Sequence, residues 1–172
     1  MITFHYEGLH TVISGAQTGS DQAGLYVAQT FGIKTGGWIP KGFRTLSGSS
    51  PELAKFGLIE TTSLGYPDRT RRNAQAGDAT VRLASNLKTA GEVLTLKYCV
   101  AAKKPVFDVL LDRLSYSDKA DALVEFLIKH SVSTLNVAGN GDRVDSFHFN
   151  EASKVLTLAF SKLSVMNLLV KS

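Results

Sequence analysis

The chain has 172 residues, 44% of them hydrophobic and 20% charged, with a formal net charge of +4 and a pI near 9.2. That balance suits one soluble globular domain and excludes a disordered or collagen-like chain, and the mild positive charge suits an anionic small ligand better than a nucleic-acid polymer. One cysteine (Cys99) and four scattered histidines exclude a disulfide framework and a clustered metal site, so folding without metal is expected.

The opening MITFHYEGLH has neither the basic nor the apolar segment of a signal peptide, and no window nears the ~18 apolar residues of a membrane span. A cytoplasmic location without membrane attachment is therefore expected. TVISGA (11–16) reads as a buried strand and Asp21 to Phe31 as a helix ending near Gly32. GGWIP (36–40) reads as a second strand, followed by a loop rich in Gly and Ser over 41–56. GLIETT (57–62) reads as a third strand, and Pro67 to Ala76 as a helix with proline in its first turn. ATVRLA (79–84) and KPVFDVLL (104–111) are strands flanking a helix from about Gly91 to Ala102, which carries Cys99 as a small core residue. DKADALVEFLIKH (118–130) is an amphipathic helix, STLNVAG (133–139) the last strong strand, and Glu151 to about Val170 a long apolar-striped helix.

Strands alternating with helices of this length predict a single α/β domain over 1–172, a mostly parallel sheet with helices on both faces. Ligands of such sheets sit beyond the carboxyl ends of the strands. After the first strand come Gly15, Gln17, Thr18, Gly19, Ser20 and Asp21, a glycine turn opening a helix, which suits an anion. The spacing fits neither a dinucleotide fingerprint nor a phosphate-binding P-loop. The same residues also read as a plain turn, Thr18 capping the helix and Asp21 closing a capping box. In YPDRTRRN, Arg69, Thr70 and Asn73 stand 3, 4 and 7 residues after Tyr66, so all four share one helical face, with Arg71 and Arg72 on solvated sides. A stripe of Tyr, Arg, Thr and Asn makes a poor core and a good seat for a phosphate or a polar ring. Trp38, Lys41 and Arg44 place an aromatic platform beside cations. Thr89, Gly91 and Glu92 open a helix, and Asn136 and Gly139 end the last strand. No G-x-S-x-G elbow supports serine acyl transfer.

With these residues assembled, the chain resembles the molybdenum (molybdopterin) cofactor carrier family of the Rossmann-like SLOG group, related to the lysine-decarboxylase-like phosphoribohydrolases. The likeness runs from about Val12 to Arg143. It rests on SGAQTGSDQAGL against S-G-G-Q-T-G-x-D-x-A-A-L, on GGWIPKGFR against G-G-W-x-P-K-G-R-R, on YPDRTRRN with Asp78 against Y-x-x-R-T-x-x-N…D, and on LNVAG. It implies a Rossmann-like fold that forms homo-oligomers and a pocket for a phosphate-bearing cofactor. The positions it matches are Gly15, Gln17, Thr18, Gly19, Asp21, Trp38, Lys41, Arg69, Thr70 and Asn73. The chain departs from the family at Ala16, where the family has glycine, at Asn140-Gly141, and at Thr89-Ala90-Gly91-Glu92, where the family has T-G-G-T.

Three functions stay open. The leading one is a binding or carrier protein for a phosphate-bearing, ring-containing molecule such as molybdenum cofactor, with amides of the Gly15–Ser20 turn and Arg69 on the phosphate and Trp38 or Tyr66 on the ring. The second is binding or sequestration of a nucleotide or nucleotide-derived signal. The third is an enzyme, an N-glycosidic nucleotide hydrolase using Glu92 or Asp21. Binding is favoured over catalysis, because KTAGEVLTL lacks the hydrolases' P-G-G-x-G-T-x-x-E. No directly bound metal is expected in any of them. The apolar wealth of the last helix predicts that copies of the chain associate.

Overall fold

The structure, a computed structural model, describes residues 5–172. Parallel strands and connecting helices alternate. β1 (Thr11–Ser14), α1 (Ser20–Thr30) and β2 (Lys34–Ile39) lead to a small hairpin, β3 (Arg44–Thr45) and β4 (Gly48–Ser49), then a 3-10 helix (Pro51–Phe56) and β5 (Leu58–Glu60). There follow α2 (Tyr66–Ala76), β6 (Ala79–Ala84), α3 (Ala90–Ala101), β7 (Val106–Leu110), α4 (Tyr116–Lys129), β8 (Thr134–Gly139) and α5 (Phe147–Val165). The main sheet runs β5-β2-β1-β8-β6-β7 with every pair parallel, so the fold is a single Rossmann-like α/β domain.

The two faces of this sheet differ in chemistry. α1, α4 and α5 pack together over one face, around Val81, Leu83, Leu135 and Val137 from the central strands and Val155, Leu156, Ala159, Phe160 and Leu163 from α5. On the other face lie α2 and α3, and alternate residues of the same strands, Thr80, Arg82 and Asn136, are buried and polar. The Asn136 amide and the Cys99 thiol both donate to Thr80 Oγ1, at 3.1 and 3.3 Å. Arg82 grips Asp108 with two bonds of 2.7 Å and donates to the Glu92 carbonyl at 2.8 Å, tying the start of α3 to β6 and β7. Burying an arginine this way is tolerable only because its fork is so fully met.

The largest departures from the sequence reading lie in the 41–56 stretch and at the two ends of the last helix. The stretch 41–56 is ordered into a hairpin and a 3-10 helix whose Leu53 and Phe56 join a small second core with Ala16, Leu25 and Ile39. The last helix starts four residues early, at Phe147, because the Asp142 carboxylate accepts the amides of His148 and Phe149, both at 3.0 Å. It also stops at Val165. Beyond it Leu168–Val170 pair with Leu9, whose amide donates to Leu168 O at 2.9 Å. Most apolar residues of α5 therefore fill this chain's own core, leaving Leu158, Val165 and Met166 exposed on the helix and its cap. No helix among the described residues is long and apolar enough to cross a membrane.

Candidate functional site

Beyond the carboxyl ends of β1, β6 and β8 a cleft of about 600 Å³ opens, walled by α2 and the first turns of α3. At its floor Asp21 is 2% exposed, and its Oδ2 accepts from the Gln17 amide at 3.2 Å and from the Arg69 guanidinium at 3.3 Å. Burial lifts this carboxyl to about 6, against the opposing pull of Arg69 and of the Gln17 and Gly139 amides. Glu92, delivered by the first turn of α3, is 3% exposed and its Oε2 has no partner. Burial first, and the Asp21 charge second, lift Glu92 to about 7. Arg69 also has a buried Nε without a partner, and its guanidinium lies 5.6 Å from the Tyr66 ring centre. Ala90 and Gly91 begin α3, and as the first residues of a helix they have no carbonyl of their own for their amides to meet. Glu92 N–H, by contrast, goes to the Thr89 hydroxyl at 3.4 Å.

Of the residues expected from sequence, Gln17, Asp21, Tyr66, Arg69, Thr70, Thr89, Gly91, Glu92 and Gly139 line this cleft together. Gly15, Asn73 and Asn136 lie in a narrow space behind Arg69. Asn73 is held there by two bonds of 2.9 Å to the N–H and C=O of Trp38, so it fastens α2 to β2. Trp38, Lys41 and Arg44 stand outside the lining. Lys41 and Arg44 are exposed, Arg44 donating to Leu64 O at 3.1 Å with its guanidinium 5.5 Å from the Tyr66 ring centre. Tyr66 is the aromatic residue that the cleft presents.

The turn after β1 faces its own protein. Its amides at Ala16, Gln17, Thr18 and Ser20 donate to Ser14 Oγ (2.8 Å), Asp21 Oδ2 (3.2 Å), Gln17 Oε1 (3.0 Å) and Asn140 O (3.1 Å). The glycines are just as crowded: a Cβ on Gly15 would lie 2.1 Å from an Arg69 nitrogen, and one on Gly19 would lie 2.3 Å from Asn140 O. Thr18 Oγ1 donates to Asp142 O at 2.7 Å, and Thr18 and Gly19 border a separate hollow beside Asp142. Ser20 is fully buried, its hydroxyl on Leu83 O at 2.7 Å. The capping box is not formed either. The N-cap is Gly19 with no side-chain cap, since Asp21 turns to the Gln17 amide. Ala16 keeps a left-handed φ of 55° where the resembled family has glycine.

Ser85, Asn86 and His148, which the sequence did not single out, complete the rim with residues of the polar stretch after the last strand. Ser85 and Asn86 follow β6, Asn140, Gly141 and Arg143 follow β8, and His148 reaches over from α5. His148 places Nε2 2.8 Å from Ser85 Oγ and Nδ1 2.8 Å from Asp142 Oδ1. No local motif announces a contact between residues 63 positions apart.

A family model, the circularly permutated YpsA SLOG family, matches residues 12–158. Among solved structures, one at 1.45 Å from Syntrophus aciditrophicus SB, described as a "Putative molybdenum carrier protein", superposes with a TM-score of 0.83. The two share 31% identity over 89% of this chain and 96% of that one. No curated protein matches.

Proposed function

The chain belongs to the circularly permutated YpsA SLOG family, and from that premise we propose that it binds a phosphate-bearing small molecule with a flat polar ring, of the molybdenum cofactor kind. The observation that carries this reading is Arg69, whose buried Nε is unpartnered in a cleft that also holds the first amides of α3. A buried guanidinium nitrogen with no acceptor is costly unless a ligand meets it, and a helix start beside it favours negative charge. The phosphate is thus assigned to Arg69 and the Ala90–Gly91 amides. The turn after β1, whose Ala16, Gln17, Thr18 and Ser20 amides are taken, supports the site from below. Tyr66 offers the ring a face, and the open Glu92 oxygen offers an acceptor or donor for the ring's N–H and C=O edge. Among the described residues no three His, Cys, Asp or Glu side chains gather into a metal site. The reading asks for none, since such a cofactor carries its metal on its own atoms.

One observation favours a second reading. Two desolvated carboxyls, at about 6 and about 7, share the floor of one cleft, which is how an acid and a base are set apart for N-glycosidic hydrolysis. Native mass spectrometry of protein purified from its own host separates these outcomes. A molybdenum-bearing pterin supports the carrier, a bound nucleotide supports sequestration of that molecule, and release of free base from nucleoside monophosphates supports the hydrolase.

Association of copies has its best support on α3 rather than α5. Val93, Leu96 and Val100 form an exposed stripe there, 55%, 39% and 66% open, while Glu92, Thr95 and Cys99 face inward. A sedimentation coefficient matching 18.5 kDa at micromolar concentration would exclude it.

A further inference from the structure

The rim of the cleft holds a second set of groups that ligand binding does not require. Asp142 is 7% exposed, and the two backbone amides it caps at the start of α5 hold its carboxylate in place. An ionised carboxylate can only accept, so His148 Nδ1 carries the proton toward Asp142 and a neutral His148 leaves Nε2 as an acceptor. The group facing Nε2 is the Ser85 hydroxyl, at 2.8 Å against 3.4 Å to the competing Asn140 Oδ1. Asn140 fixes the turn that presents this serine, with its Oδ1 taking the amides of Ser85 and Asn86 at 3.1 and 3.0 Å and its Nδ2 donating to Asn86 O at 3.0 Å. Ser85 is exposed and lines the cleft.

We propose that Ser85, His148 and Asp142 form a nucleophilic relay that hydrolyses a carboxylic ester of an anionic small molecule. Ser85 Oγ attacks the ester carbonyl carbon as its proton passes to His148 Nε2. The C–O bond to the alcohol breaks, and the leaving oxygen takes that proton. Water then attacks the acyl-serine, gives one proton to His148 and releases the acid, and His148 returns the proton to Ser85. One ester and one water become one acid and one alcohol, with no other reactant. Asp142 acts through His148, orienting it and balancing the imidazolium. The same set of roles recurs on unrelated folds, so the lack of a nucleophile elbow does not count against it. Only the anionic character of the ester rests on the reading of Arg69 as a phosphate seat.

The test uses the full chain, a neutral fluorophosphonate and two p-nitrophenyl esters, one neutral (acetate) and one bearing a carboxylate (glutarate). The expected result is one phosphonyl group per chain on Ser85, located by peptide mass spectrometry, and none in Ser85→Ala. His148→Gln should slow the labelling at least about a hundredfold with an unchanged melting temperature. His148→Gln is the deciding variant, because Asp142 also caps α5. Labelling that is absent, scattered over several serines, or equally fast in His148→Gln overturns the relay. Arg69→Ala should lower the preference for the glutarate ester over the acetate about tenfold. Equal rates on both esters with labelling intact overturn the anionic substrate class and, separately, weigh against Arg69 as the anion's seat.

Discussion

Two turns at the same edge of the sheet invite comparison, the one after β1 (Gly15–Gly19) and the one after β6 (Ser85–Thr89). The first is rich in glycine and looks built for a ligand, yet its amides bond to Ser14, Gln17, Asp21 and Asn140 and its glycines press on Arg69 and Asn140. The second has no glycine, yet it opens into the cleft beside a helix start. A glycine in a turn reports that something comes close to the backbone; it does not report whether that is a ligand or another loop.

The largest effect should come from pressing on the closed corner. Gly139 ends β8 against it, and a Cβ there would stand 1.9 Å from Leu83 O and 2.7 Å from the Ser20 side chain. Neither neighbour is a flexible tip, so Gly139→Ala should cost about 3 kcal/mol or more. Calorimetry should then show a melting point lower by roughly 6–12 °C, at about 2–4 °C per kcal/mol for a chain this size. A change under one degree would mean that the corner is loose and the contrast between the turns is false.

The next test lies where the turns meet, at Asp21 from the first and Glu92 from the start of α3. Both carboxyls hold their proton more tightly folded than unfolded, about 6 against 3.8 and about 7 against 4.5. Between those values the folded state binds more protons, so stability falls as pH rises from about 4 to 7, the reverse of ordinary acid denaturation. The Glu92 part should be on the order of 3 kcal/mol. Urea denaturation at pH 5 and pH 7.5 should show it, and Glu92→Gln should flatten it. A wild-type stability that rises over this range would mean that the floor is wetter than its burial indicates.

How much of this was legible in the sequence depends on how far apart the cooperating residues are. Strand and helix order follows from local periodicity, so β1, α1, β6 and α4 appear nearly where expected. The stripe of Tyr66, Arg69 and Thr70 was readable for the same reason, as spacings of three and four place side chains on one helical face. ATVRLA read as a strand, but its meaning lay in the alternation: Val81 and Leu83 enter the apolar core, while Thr80 and Arg82 enter a polar one. The early start of α5 was hidden because its cap, Asp142, lies outside the helix pattern, and its early end because Leu168–Val170 pair with Leu9 across the whole chain. The Ser85–His148–Asp142 contact was hidden most fully, since it exists only after β6, β8 and α5 have been brought together.

Arg69 measures what the open side of the comparison is for. Guanosine 5′-monophosphate is a suitable probe, because its phosphate and its amino-oxo ring edge are the features the cleft would read. Arg69→Ala should weaken its binding by about 1.5–3 kcal/mol, roughly tenfold to a hundredfold. Arg72, 42% exposed and paired with Asp68 at 3.1 Å, is a control of equal charge on the same helix, and its loss should change little. Arg69→Lys should recover only part, because an ammonium lacks the fork. Equal affinities for Arg69→Ala and Arg72→Ala would leave the cleft without an anion seat.

The smallest effect is the most discriminating, because it should reverse the first. Gly91 stands in the first turn of α3, and a Cβ there meets nothing within 4 Å. Gly91→Ala should leave stability unchanged or raise it by up to about 1 kcal/mol, alanine being the better helix former and the less free in the unfolded chain. Its methyl would nevertheless occupy the cleft beside the amide assigned to phosphate. Affinity for guanosine 5′-monophosphate should fall about threefold to tenfold, the ~1 kcal/mol scale of one neutral hydrogen bond. Gly139→Ala and Gly91→Ala are the same chemical change at one sheet edge, so their opposite outcomes would separate a glycine that admits protein from one that admits a ligand. If Gly91→Ala binds the probe as well as wild type does, the start of α3 does not hold the phosphate, and Arg69 with Arg143 would have to hold it alone.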